Sequence, residues 1–205
     1  LPAPIPRLHL ITDRALAADL PARALAALRG LRPRTAAVQL REKDLGGRAL
    51  LGLARALRRA CDEAGQLLVV NDRIDVALAA GADGVHLPAA GIPVAEARRL
   101  LGPEAIVGRS CHSRAEVEAA LADGASYATF SPIYDTPSKR EYGAPLGVEA
   151  LREAAALGLP LIALGGVDAG RAPEVRAAGA AGVAAIRAWL VGDDPAGAVR
   201  GLLGR

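Results

Sequence analysis

Of the 25 basic residues in this 205-residue chain only two are lysine, Lys43 and Lys139; Asn71 is the one asparagine, and Gln39 and Gln66 are the two glutamines. Codon bias accounts for an excess of Arg, Ala, Gly and Pro, so a lysine that survives it marks a specific need. Arg41 and Lys43, two residues apart, and Lys139 with Arg140 beside it would converge positive charge on one rim. Ser110, Thr136 and Ser138 would add hydroxyl donors. That donor set suits a diphosphate better than a carboxylate, because each phosphate oxygen takes charge-assisted bonds and lysine serves as a movable point charge. Either motif alone reads as a solvated turn; two of them on neighbouring functional loops make an anion site.

Other residues have narrower chemistry. Asp72, after Asn71, could hold Mg2+ through its carboxylate while substrate oxygens and water complete the octahedron, or could equally cap a helix. His86 and His112 could donate to phosphate or move a proton. His9, between Leu8 and Leu10, reads as structural. Gly165 and Gly166 would form a second phosphate pocket with the loop near Arg187, unless they are only a tight turn. No Ser/His/Asp elbow, zinc spacing or P-loop occurs, which leaves nucleophilic hydrolysis and nucleoside triphosphate chemistry without support.

The elements that must position these residues follow from hydrophobic pattern. Eight short apolar runs, at 8–12, 36–40, 67–71, 84–87, 105–110, 127–131, 160–165 and 182–186, alternate with longer Ala/Leu/Arg stretches of helical period. That alternation predicts a parallel sheet with helical crossovers. About 25 residues per unit is close to the lower limit of a (β/α)8 barrel, and the expectation is one TIM-barrel domain over residues 1–205. A doubly wound open sheet is the rival, but its GxGxxG signature after the first strand is absent. Gly65, Gly81, Gly102 and Gly124 punctuate the second to fifth helices. In such a barrel the loops at the carboxyl ends of the strands build the reaction site, and both lysines and the asparagine fall there.

Composition narrows the partners. A net charge of +3, spread along the chain, and 2% aromatic content argue against nucleic acid. Charged residues interrupt every apolar run, so no membrane span is expected. The opening LPAPIPR lacks the marks of a secretory signal, and Cys61 and Cys111 show no pairing pattern; a cytoplasmic chain is expected. Its partners would be small-molecule substrates, met as a monomer or a homo-oligomer.

The segments QLREK (39–43), VND (70–72), ADGVHL (82–87), SPIYDTPSK (131–139), ALGGV (163–167) and AAGAAGVAAI (177–186) resemble the thiamine phosphate synthase and TenI superfamily, in family order and across nearly the whole chain. The resemblance implies a (β/α)8 barrel. It also implies an enzyme that joins hydroxymethylpyrimidine diphosphate to hydroxyethylthiazole phosphate with loss of diphosphate under Mg2+. Carried over by motif, Arg41, Lys43, Asn71, Ser110 and Lys139 would hold the diphosphate and His86 its end. Gln39 would lie near the pyrimidine, Asp72 would bind the metal, and Thr136, Ser138 and Gly166 would surround the thiazole. The chain departs from the synthase pattern where a second metal carboxylate is usual, since Gly91 stands there. GRSCHS (108–113) and the proline after HL are closer to the TenI branch, a thiazole tautomerase that works by proton transfer. The histidine of that branch after strand 6 is Pro132 here, which leaves His112 as the nearest acid or base. The synthase is the first expectation, the tautomerase the second, and a non-catalytic thiazole-phosphate-binding homologue the third.

Overall fold

The computed structural model describes residues 5–136 and 144–205. Its strands β1 (Leu8–Ile11), β2 (Ala36–Leu40), β3 (Leu67–Asn71), β4 (Gly84–Leu87), β5 (Ile106–Cys111), β6 (Tyr127–Phe130), β7 (Leu161–Ala163) and β8 (Gly182–Ala185) pair in parallel and in sequence order, and β8 closes on β1. Between them run α1 (Leu20–Leu28), α2 (Gly47–Glu63), α3 (Ile74–Ala80), α4 (Val94–Leu101), α5 (Arg114–Ala122), α6 (Gly147–Ala155) and α7 (Ala172–Ala177). A single turn, α8 (Arg187–Leu190), and then α9 (Pro195–Leu203) follow β8. The expected barrel is therefore present, and no helix among the described residues is long and apolar enough to cross a membrane.

Strands buried on both faces read as continuous apolar runs, which is why the runs located them. In β3, Leu68 and Val70 face the helices while Leu67 and Val69 join Ile11, Ala37, Ile106, Tyr127, Ile162 and Ala184 inside the barrel. Outside, Leu50, Ala54, Leu57, Ala60 and Cys61 form the buried stripe of α2. Full burial of a leucine such as Leu57 contributes about 1.5–3 kcal/mol. Arg58 is not a plain outer-face residue: it donates to Asp83 at 2.5 Å and to the Gln66 carbonyl at 3.0 Å, and pairs with Asp62 at 2.8 Å. The Gln66 side chain in turn accepts from Ala36 N and donates to the Arg32 carbonyl, so it is spent at the amino end of the barrel, away from the site.

The in-facing polar residues lie in cross-strand register. Asn71 pairs with His86, His86 with Gly108 and Gly108 with Tyr127. Gly108 is required there: a Cβ on it would stand 2.2 Å from Cζ of Tyr127 and 2.6 Å from Nδ1 of His86. The missing side chain lets a tyrosine lie across the barrel axis beneath the mouth.

Candidate active site

The β2–α2 loop brings Arg41 and Lys43 to the carboxyl end of the barrel, and β1 fixes its course. Arg41 N donates to Thr12 Oγ1 at 2.9 Å. Between the two cations Glu42 is buried, its oxygens both accepting from Arg14 N at 3.2 Å and its Oε2 lying 3.8 Å from Arg14 Nε. Arg14 also pairs with Asp44. Both carboxylates of this loop, Glu42 and Asp44, are thus committed to Arg14 on the neighbouring loop. Neither cation has an ion-pair partner among the described residues. Free positive charge at a concave rim attracts an anion.

Asn71 ends β3 half-buried, and Asp72 follows in the left-handed region at φ 65°, exposed, with its N–H donating to the His86 carbonyl at 3.0 Å. Asp72 does not cap α3; that position belongs to Arg73, without a side-chain bond. The carboxylate is left at the rim. The Gly91 side of any metal site is different in kind, because Arg109 reaches up from β5 and donates to the carbonyls of Ala89 and Ile92, both at 2.7 Å. Among the described residues no three His, Cys, Asp or Glu side chains gather as metal ligands. One carboxylate with open space around it fits a Mg2+ that shares substrate oxygens, not one caged by protein alone.

His86 is 3% exposed and lies deeper than a rim residue. Its Nδ1 is 3.1 Å from Tyr127 Oη, and its Nε2 is 2.9 Å from Ser110 Oγ and 3.3 Å from Thr129 Oγ1. Burial, with Arg41 and Arg109 nearby, pushes its pKa down to about 3, so the ring is neutral. Ser110 is half-exposed and carries this buried chain to the mouth. Gln39 is buried inside β2 and faces the Tyr127 phenol, its Nε2 without a close hydrogen bond among the described residues. His9 is structural as expected: it is fully buried, its ring centroid is 4.6 Å from that of Tyr127, and burial lowers its pKa to about 4. His112 sits on the far side of Ser110. Its Nδ1–H donates to the Ser131 carbonyl at 2.6 Å, since a carbonyl only accepts, which leaves Nε2 unprotonated in the neutral ring. Glu116, bonded to Ser113 through its own N–H, accepts from His112 N at 2.5 Å and steadies that turn.

Across the mouth a cavity of about 260 Å3 is walled by Thr136, Gly165, Gly166, Ile186 and Arg187. Both glycines are left-handed, at φ 98° and 66°, and pack against the loop after β6: a Cβ on Gly165 would be 2.8 Å from Pro132, and one on Gly166 2.8 Å from Tyr134. Arg171 donates to the Gly166 carbonyl at 2.9 Å and lies over the Tyr134 ring. The pair is therefore a shaped cavity wall. Ser138 and Lys139, with Arg140, fall outside the described residues.

The family model for thiamine monophosphate synthase matches residues 8–189. The chain belongs to this family. A relative of the thiamine monophosphate synthase family from Geobacter sulfurreducens is 51% identical over 199 residues, spanning 96% of this chain and 92% of its own. A thiamine-phosphate synthase from Methanoculleus marisnigri is 48% identical over 169 residues, spanning 82% and 80%. Among solved structures, a thiamine phosphate pyrophosphorylase from Pyrococcus furiosus superposes with a TM-score of 0.86 at 32% identity, covering 97% of this chain and 94% of that one.

Within this thiamine monophosphate synthase barrel, sequence reasoning left four residues unassigned. Tyr127 and Thr129 were hidden inside an apolar run, where either face of the strand looks the same. Glu42 carried a signal, a lone negative charge between two positive ones, and Arg109 sat in GRSCHS without a stated task.

Proposed function

We propose that the chain joins hydroxymethylpyrimidine diphosphate to hydroxyethylthiazole phosphate, giving thiamine phosphate and free diphosphate. The observation that carries this reading is the pairing, at one barrel mouth, of two cations without carboxylate partners among the described residues and a separate glycine-walled cavity. Two anionic groups on two substrates need two such places. The bond from the pyrimidine methylene to the diphosphate oxygen breaks with its electron pair leaving on oxygen, and the thiazole nitrogen gives its lone pair to the methylene carbon. Arg41, Lys43 and Lys139 would bind the departing charge, Ser110 and Asn71 would donate to it, and His86 would back Ser110. Preorganised charge of this kind lowers the barrier without reorganisation during the step. Gln39 would face the pyrimidine, while Thr136, Ser138 and Gly166 would surround the thiazole phosphate.

Asp72 would hold Mg2+ together with diphosphate oxygens, and the ion, when bound, neutralises charge on the leaving group. The test is a paired assay: both substrates with Mg2+, followed for thiamine phosphate and released diphosphate, and separately the thiazole carboxylate phosphate tautomer without metal. Thiamine phosphate formation is the expected result. Isomerisation alone would favour the second reading, a tautomerase, for which the observations are His112, whose Nδ1 is bonded to the Ser131 carbonyl, and a Gly91 loop held by arginine rather than carboxylate. Turnover in neither assay would leave a ligand-binding homologue.

A further inference from the structure

We propose that Tyr127 holds His86 in the tautomer that carries its hydrogen on Nε2, so that Ser110 accepts from His86 and turns its own hydroxyl hydrogen toward the anion at the mouth. The chain of contacts runs Tyr127 Oη to His86 Nδ1 at 3.1 Å and His86 Nε2 to Ser110 Oγ at 2.9 Å. A buried phenol must place its hydrogen on an acceptor or lose the cost of an unmade bond. Burial raises the Tyr127 pKa, so the phenol keeps that hydrogen. Gln39 faces the phenol as a donor, its Nε2 having no other close partner among the described residues. His86 Nδ1, 3.1 Å away, is the acceptor that the described side chains place on the phenol.

With Nδ1 accepting, a neutral imidazole carries its hydrogen on Nε2 and donates it to Ser110, sharing it with Thr129. The lone pair of Ser110 is then occupied from behind. The opposite tautomer would draw the Ser110 hydrogen inward and present only lone pairs to the mouth, which repels an anion. Tyr127 and His86 are thus positioning residues that act through Ser110. The identity of the anion rests on the diphosphate reading above; the tautomer does not.

Long-range 1H–15N correlation of the uniformly labelled protein reads the tautomer directly, and with three histidines in the chain, His9→Leu and His112→Gln assign the spectrum. The expected result is a neutral His86 protonated on Nε2. Protonation on Nδ1 overturns the proposal. Pyrophosphate titration gives the second readout: Tyr127→Phe should weaken binding about three- to tenfold, the loss of one oriented hydrogen bond. Ser110→Ala should weaken it similarly, and the double variant should be no worse than Ser110→Ala, because Tyr127 acts through that hydroxyl. Additive losses overturn the relay. If Tyr127→Phe fails to fold, the wild-type spectrum decides alone. Nε2 protonation in a protein that binds no pyrophosphate would uphold the tautomer and sink the diphosphate reading.

Discussion

Glu42 takes the backbone N–H of Arg14 on both carboxylate oxygens, 3.2 Å each, and so a buried negative charge between Arg41 and Lys43 is spent on holding the β1–α1 loop. Glu42→Ala would remove the buried carboxylate that holds the Arg14 N–H and free the loop carrying both cations. We expect a loss of roughly 1–3 kcal/mol in urea unfolding. We also expect KM for the diphosphate substrate to rise more than kcat falls, since the variant disturbs placement of binding groups. A KM unchanged from wild type would contradict a positioning role.

Arg41 and Lys43 lack ion-pair partners among the described residues, so an anion that binds there meets no internal competitor. Arg41→Ala and Lys43→Ala should each weaken pyrophosphate binding about ten- to a hundredfold, the range of one hydrogen bond to a charged group. Calorimetric titration at two salt concentrations checks this, with the weaker salt dependence expected in the variants. Lys139→Ala is expected to act in the same direction, and unaltered affinity would remove that lysine from the anion site.

Gly108 leaves the space that the Tyr127 ring fills. Gly108→Ala should therefore force the ring or His86 aside and destabilise the protein by about 1–3 kcal/mol, as overpacking does. Thermal unfolding would show it, and an unaltered melting temperature would mean that the interior tolerates repacking at this level.

Much of this was legible in the sequence because the barrel makes simple demands. Strands covered on both faces need mostly apolar runs, and AAVQL and LLVVN bound β2 and β3 to the residue, each with a single polar side chain. Gly65, Gly81, Gly102 and Gly124 follow their helices at positive φ because the chain must reverse there. The lone Asn71 and the cations after β2 reached the carboxyl end because the site has to be there. What was hidden is parity. An apolar run does not say which of its residues point inward, so Tyr127, Thr129 and the depth of His86 appeared only once the strand register was set. The task of Arg109, binding carbonyls of a loop some 20 residues away in sequence, leaves no periodic trace.

His9 and His86 are buried neutral, with pKa values lowered to about 4 and about 3 from 6.5. Below pH 6.5 the unfolded chain takes up protons that the folded chain refuses, so stability is full above that pH and falls as pH drops toward 4. At pH 5 the loss should be on the order of 2 kcal/mol per histidine relative to pH 7. Neither ring nitrogen of His9 has a close hydrogen bond among the described residues, the Pro6 backbone offsetting burial only in part, so His9→Leu removes its share at little cost in hydrogen bonding. Urea midpoints should fall less steeply with acid in His9→Leu than in wild type. Parallel curves would show that His9 titrates alike in both states.

In the proposed site Asp72 would be the one protein carboxylate on Mg2+. Its carboxylate is exposed at the rim, while the loop at Gly91 is bound by the Arg109 guanidinium and offers no second carboxylate. An ion with one protein ligand depends on the substrate for the rest of its shell, so Mg2+ affinity should be poor without diphosphate and strong with it. Asp72→Ala should then raise the Mg2+ concentration for half-maximal turnover by about tenfold or more, a loss comparable to one charged contact. Adding a carboxylate by Gly91→Asp tests the same idea from the other side. It should lower that concentration if the position faces the ion, although the close approach to Pro88, 2.9 Å from a Cβ there, will strain the loop. Unchanged Mg2+ dependence in Asp72→Ala would remove Asp72 from the metal site and leave charge neutralisation to Arg41, Lys43 and Lys139.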